Sequence, residues 1–136
     1  MRRRAVTALI VVLAPHVAAA HVVRHSSIPQ AYWGTWTAGA GTCGDAKKAA
    51  IVLSAKAYVS PMASCTVDYV SETAGAQGPI YSARLQCSDA TGGTQRKSVA
   101  NLIIRPDSVD RISVGSNFDS LTAYERCSPS VPGTKH

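Results

Sequence analysis

Four cysteines, Cys43, Cys65, Cys87 and Cys127, are the side chains best able to do chemistry in this 136-residue chain. A structural zinc site needs cysteines or histidines in closely spaced pairs. No two of these cysteines lie within five residues of each other, and no histidine stands near them. An even count without that spacing reads as two disulfides, formed where the compartment oxidises thiols. Three pairings are open; the sequential one, Cys43–Cys65 with Cys87–Cys127, is favoured here. Each such loop would stabilise the fold by about 3–4 kcal/mol through lost chain entropy in the unfolded state.

Nucleophilic catalysis is poorly served. Beyond residue 20 the histidines are His21, His25 and His136, all near the ends, with none between residues 26 and 135. A Ser–His or Cys–His system needs an imidazole held rigidly beside its nucleophile. An acid–base pair needs carboxylates that are buried or held beside a like charge, whereas Asp68, Glu72, Asp107, Asp110 and Asp119 fall on polar strand faces or in turns. Phosphate-cradling glycine loops, dinucleotide fingerprints and His-Glu metalloprotease motifs are absent. The expectation is a protein that is not an enzyme.

The first twenty residues read as an export signal. Arg2, Arg3 and Arg4 precede a ten-residue apolar stretch, Ala5 to Ala14, then Pro15 and the small residues Ala18, Ala19 and Ala20. A membrane span needs roughly 20 apolar residues, twice that run. Three of the 14 basic residues and none of the 8 acidic ones lie in this segment, leaving 11 against 8, a net +3. The remaining basic residues stand singly or in pairs, without the stripe that phosphate backbones require, so nucleic acid is not an expected partner. Cleavage after Ala20 would leave His21 first, with His25 four residues on. Its amine and imidazole form a chelate suited to copper, so His21 and His25 are candidate metal ligands, with copper the one cofactor considered. That N-terminus also resembles the opening of exported copper carriers.

Three apolar features are candidates for partner binding. Tyr32, Trp33 and Trp36 cluster within five residues, and in an extended segment Trp33 lies opposite the other two. Either one ring enters the core while the others stack at a barrel end, or some form a binding patch. Phe118 follows Gly115-Ser116-Asn117 in an expected hairpin turn. Met62 follows Pro61 just before Cys65, where a proline at one end and a disulfide at the other would brace a presented turn.

The elements that must position these residues are strands. Ile80 to Ser88 places Tyr81, Ala83, Leu85 and Cys87 on one face, and Ser64 to Val70 places Cys65, Val67 and Tyr69 together. Both cysteines therefore sit on apolar faces. Tyr32–Thr37, Ala49–Ala55, Ala57–Ser60, Val99–Arg105, Asp110–Val114 and Leu121–Arg126 complete the strand set, separated by Gly and Pro breakers. The fold expected is all-β: an antiparallel meander, closed as a small barrel or folded as a sandwich, over residues 31–127. Residues 21–30 and 128–136 are expected to be flexible tails.

Gly34-Thr35-Trp36, a Cys seven residues after the Trp, an apolar strand and a second Cys resemble bacterial periplasmic proteinase inhibitors of the lipocalin-like type over residues 34–65. The resemblance implies a calycin-like, eight-stranded barrel opening on the Gly-x-Trp strand, with a disulfide in the first half of the chain. Cys87 and Cys127 depart from that pattern, as does the lack of a second core Trp near the middle. Ser54 to Tyr58 is similar to the Tyr-ended loop of lysozyme-inhibitor barrels, without its glycines. Tyr124-Glu125-Arg126-Cys127 resembles the ending of small exported alphaproteobacterial proteins that carry no assigned activity. Together with the export signal, these resemblances imply a periplasmic or secreted monomer without a membrane span once the signal is removed. It would be a non-catalytic binding module, and an inhibitor of an exported hydrolase (protease or lysozyme) is its most concrete form. A copper carrier using His21, or an envelope structural or interaction protein, are the alternatives.

Overall fold

Alternating side chains fold here as alternation dictates, one face into a core and the other into solvent. The computed structural model of the chain describes residues 9–15, 22–38, 50–89 and 97–127. Its strands are β1 Val23–His25, β2 Gly34–Ala38, β3 Ala50–Leu53, β4 Ala57–Val59, β5 Ala63–Thr73, β6 Ile80–Asp89, β7 Lys97–Ser108, β8 Arg111–Gly115 and β9 Thr122–Arg126. From β2 to β9 each strand pairs antiparallel with the next in sequence, and β9 closes back onto β2. The result is an eight-stranded closed barrel, which decides between the two architectures that alternation allowed.

The core is the barrel interior. Trp36, Ile51, Leu53, Val70, Leu85, Ile104 and Ile112 are almost fully buried there. An eight-stranded barrel has an interior just wide enough for side chains to fill it. Connections alternate between two ends. The β3–β4, β5–β6 and β7–β8 connections lie at what we call the floor. Those joining β4 to β5 and β8 to β9 lie at the mouth.

Two strands bend where the sequence requires it. β5 has three neighbours: β6 along one edge, and β4 then β1 sharing the other. β4 pairs with Ser64 to Thr66 and β1 with Val70 to Glu72. Between them the β5–β6 register shifts at Val67/Tyr69, a bulge that takes in Asp68. There the Val67 amide donates to the Lys56 carbonyl at 2.8 Å instead of to a strand. β7 passes through Pro106, where a strand break was expected. It continues to Ser108 because a second bulge between Pro106 and Ser108 spares the ladder the missing N–H. Ser113, buried on β8, donates its hydroxyl to Asp107 and accepts from Arg105 at 3.3 Å, so the polar groups at this bulge are satisfied.

The segment before β2 is not loose. Residues expected in a flexible tail over 21–30 contribute β1, and Ile28 is completely buried. The Ile28 amide donates to the Ala55 carbonyl at 2.9 Å, and Lys56 donates to the Ser26 carbonyl. The floor offers an apolar opening that only an apolar side chain from outside the barrel can fill. Burying an isoleucine there contributes about 1.5–3 kcal/mol, enough to hold a short segment. Residues 21, 39–49, 90–96 and 128–136 lie outside the described residues, so the expectations for His21, Cys43 and the C-terminal tail do too. Residues 9–15 carry no regular structure, and Leu9 to Leu13 are exposed. No helix among the described residues is long and apolar enough to cross a membrane.

Candidate binding site at the barrel mouth

An inward row on the mouth side runs Tyr58, Cys65, Cys87 and Ser98 across β4 to β7, each opposite the next. That row corrects the expected cysteine pairing. Cys65 is bonded to Cys87, with Cα atoms 4.0 Å apart on neighbouring strands, and the sequential scheme fails. The reason is register: the two cysteines face each other directly, while Cys127 sits just past the end of β9, where its amide donates to the Thr35 carbonyl. Cys127 is itself disulfide-bonded, and there is no free cysteine among the described residues.

Toward the floor the barrel is packed with large side chains; toward the mouth, smaller ones leave a hollow. Ala63, Ser98, Ala100 and Thr122 line a cavity of about 440 Å³ that opens at the mouth. Leu85, Leu102, Val114 and the outer flank of the disulfide form its apolar wall. Tyr58 and Tyr124 bring phenol groups to it. Burial pushes the pKa of both phenols up, Tyr58 with the Ser60 hydroxyl beside it partly opposing, Tyr124 with Tyr58 adding to the rise. Both therefore stay protonated, as hydrogen-bond donors. The described lining holds no carboxylate, amine, guanidinium or imidazole. Such a lining offers shape and neutral hydrogen bonds.

Two turns frame this opening. In the β4–β5 turn the Ser60 hydroxyl accepts from the Met62 and Ala63 amides at 3.3 and 3.2 Å, and the Ser60 amide donates to the Ala63 carbonyl at 2.9 Å. Met62 stands out from it, 80 % exposed. In the β8–β9 connection a short 3-10 turn spans Phe118–Ser120, capped by Asn117, whose side chain accepts from the Asp119 amide at 3.0 Å. Phe118 is 61 % exposed. Gly115 permits this return, because a Cβ there would lie 2.4 Å from the Ser120 carbonyl oxygen. Met62 and Phe118 thus come to the same end of the barrel.

Trp33 goes to the other end. It is 39 % exposed, and its indole donates to the Ile28 carbonyl at 2.8 Å, bracing the floor plug. A 3-10 turn over Gln30–Tyr32 leads to Gly34, whose φ of 128° turns the chain into β2. Trp36 follows, fully buried, with the Arg126 guanidinium 4.2 Å above its ring. Arg126 also donates to the Ala31 and Trp33 carbonyls, so the last strand is tied to the N-terminal segment. Sequence reasoning gave Arg126 no role. Its inward parity on β9, opposite Trp36, was the available signal.

His25, the described member of the expected metal pair, is engaged at the floor. Its Nε2 lies within hydrogen-bond distance of Glu72, and its ring approaches Tyr81. Among the described residues no three His, Cys, Asp or Glu side chains gather as a metal centre would need. A groove of about 530 Å³ also lies outside the floor, beside Tyr32, Gln77 and Val109. Its charged members are already occupied: Arg126 with backbone carbonyls and Asp110, Asp107 with Arg105 and Ser113. Comparison of the chain with protein-family models, with curated proteins and with solved structures finds no match.

Proposed function

We propose that this protein is an exported, non-catalytic binding module that presents its barrel mouth to a protein partner, an exported hydrolase of the protease or lysozyme class. The observation that carries this reading is Met62, a large flexible apolar side chain held in solvent at the tip of a braced turn. Proline on one side, the Ser60 hydrogen bonds within and the Cys65–Cys87 bridge on the other limit what the turn must lose on binding. Phe118, on the neighbouring turn at the same end, supplies a second apolar anchor. Export is supported by the disulfides, which persist in oxidising compartments, and by the Arg2–Arg4 and Ala5–Ala14 pattern. The Gly34-Thr35-Trp36 part of the resemblance favours the periplasm and an inhibitory role, while the first-half disulfide it implied is replaced by Cys65–Cys87. In the test, the oxidised protein slows at least one exported protease or lysozyme at sub-micromolar concentration, and Met62→Asp abolishes this while the unfolding midpoint stays put. Absence of inhibition across a panel of such hydrolases discards the inhibitor reading.

A further inference from the structure

We propose that the cavity inside the mouth is a small-molecule site for an uncharged, flat, ring-containing ligand bearing a carbonyl-type acceptor. The first support is an imbalance of filling. One barrel circumference is packed at the floor by Trp36, Ile51, Leu53 and Ile112, yet meets chiefly small side chains such as Ala63, Ala100 and Ser98 at the mouth. The space left, about 440 Å³, is within the range of ligand pockets. An engineered apolar cavity of about 150 Å³ takes one benzene, so this one has room for roughly two or three fused rings.

The lining then selects the chemistry. Leu85, Leu102 and Val114 offer apolar contact, and no charged side chain in the described lining could repay the desolvation of a charged ligand. Among the polar side chains of the described lining, which include Asn101 and several serines, Tyr58 and Tyr124 are the largest. As protonated phenols in a partly desolvated place they have O–H bonds to donate, so the complementary ligand atom is an acceptor oxygen. This site is the barrel interior, whereas the hydrolase reading uses the rim. The two stand or fall separately.

The probe is 6-propionyl-2-dimethylaminonaphthalene, an uncharged two-ring ketone whose emission reports both polarity and hydrogen bonding, titrated into the oxidised full chain. The result expected is saturable one-to-one binding, with emission shifted from its value in water. Tyr58→Phe and Tyr124→Phe each weaken it about 3–10-fold, the effect of one lost hydrogen bond. Ala100→Leu, which fills the hollow, removes binding. Should Ala100→Leu fail to fold, as far- and near-ultraviolet circular dichroism would show, Ser98→Leu replaces it. Met62→Asp leaves probe binding unchanged. A naphthalene sulfonate of similar size binds at least tenfold more weakly. Non-saturable binding, equal affinity for the sulfonate, or full binding by folded Ala100→Leu or Ser98→Leu overturns the proposal.

Discussion

The two ends of this barrel are built from the same strands and treated oppositely. At the floor, Ile28 enters from outside the barrel, Trp36 fills the interior beneath Arg126, and the indoles of Trp33 and Trp36 donate to the Ile28 and Tyr32 carbonyls. At the mouth, small inward residues leave a hollow, and the largest apolar side chains of the flanking turns point into solvent. Among the described residues, packing closes one end and a hollow remains at the other. Exposed apolar side chains forgo the stabilisation of burial, and here the floor packing and the disulfide hold the fold that carries them.

If that division holds, damage to the floor packing or to the disulfide should destabilise the protein, and damage to the exposed turns at the mouth should not. The largest effect is expected from Trp36→Ala, which leaves a cavity the closed barrel cannot collapse around. It should cost about 3–5 kcal/mol in denaturant unfolding. A loss under about 1 kcal/mol would show that the floor is not where stability resides. Replacing Cys65 and Cys87 together with alanine should cost about 3 kcal/mol, from a 22-residue separation in the loop-closure model. Peptide mapping without reduction should recover Cys65 joined to Cys87. With four cysteines in the chain, it should then find Cys43 joined to Cys127.

A smaller effect should accompany a change of pH. Tyr32 and Tyr81 at the floor and Tyr58 and Tyr124 at the mouth all have pKa values raised, chiefly by burial. The folded state thus holds these protons more tightly than the unfolded chain, whose tyrosines ionise at about 10. Their contribution is fully present below that value and is lost as pH rises through the folded-state values. The urea midpoint should therefore fall between about pH 9 and strongly alkaline solution, measured with the disulfides intact. A midpoint that rises over this interval would contradict the burial of these rings. The smallest effect on stability is expected from Met62→Asp, within about 0.5 kcal/mol, because the side chain packs on nothing it would lose. Large destabilisation there would make Met62 a part of the fold and remove it from the binding surface.

Much of the architecture was legible in the chain. Alternation over Ser64 to Val70 and Ile80 to Ser88 located β5 and β6, and it placed both cysteines on the inward face. The Gly34-Thr35-Trp36 pattern located β2 and its buried ring. The turns that carry Met62 and Phe118 were readable from the residues around them, but that both side chains stand in solvent rather than tuck beneath was decided by the fold. The mouth cavity was not readable, because it depends on which small side chains from different strands meet at one level. Tyr58 and Tyr124, the phenols at that level, are far apart in sequence and carry no local signal.

Sequence determined what each segment does alone: extended where polarity alternates and turning at most of its Gly and Pro positions. Tertiary structure decided what each segment meets. The cysteine pairing shows why. Counting along β5 from Tyr69, which faces Arg84, would set Cys65 opposite Ser88. The bulge that takes in Asp68 moves the ladder by one residue and brings Cys65 opposite Cys87. That bulge lies where one edge of β5 passes from β4 to β1, a meeting of three strands that no local stretch of sequence specifies. Ile28 lies likewise among Ser26, Ser27, Pro29 and Gln30, a setting that reads as tail. It is buried because closing eight strands creates an apolar opening at the floor, and that opening exists only once the barrel has formed.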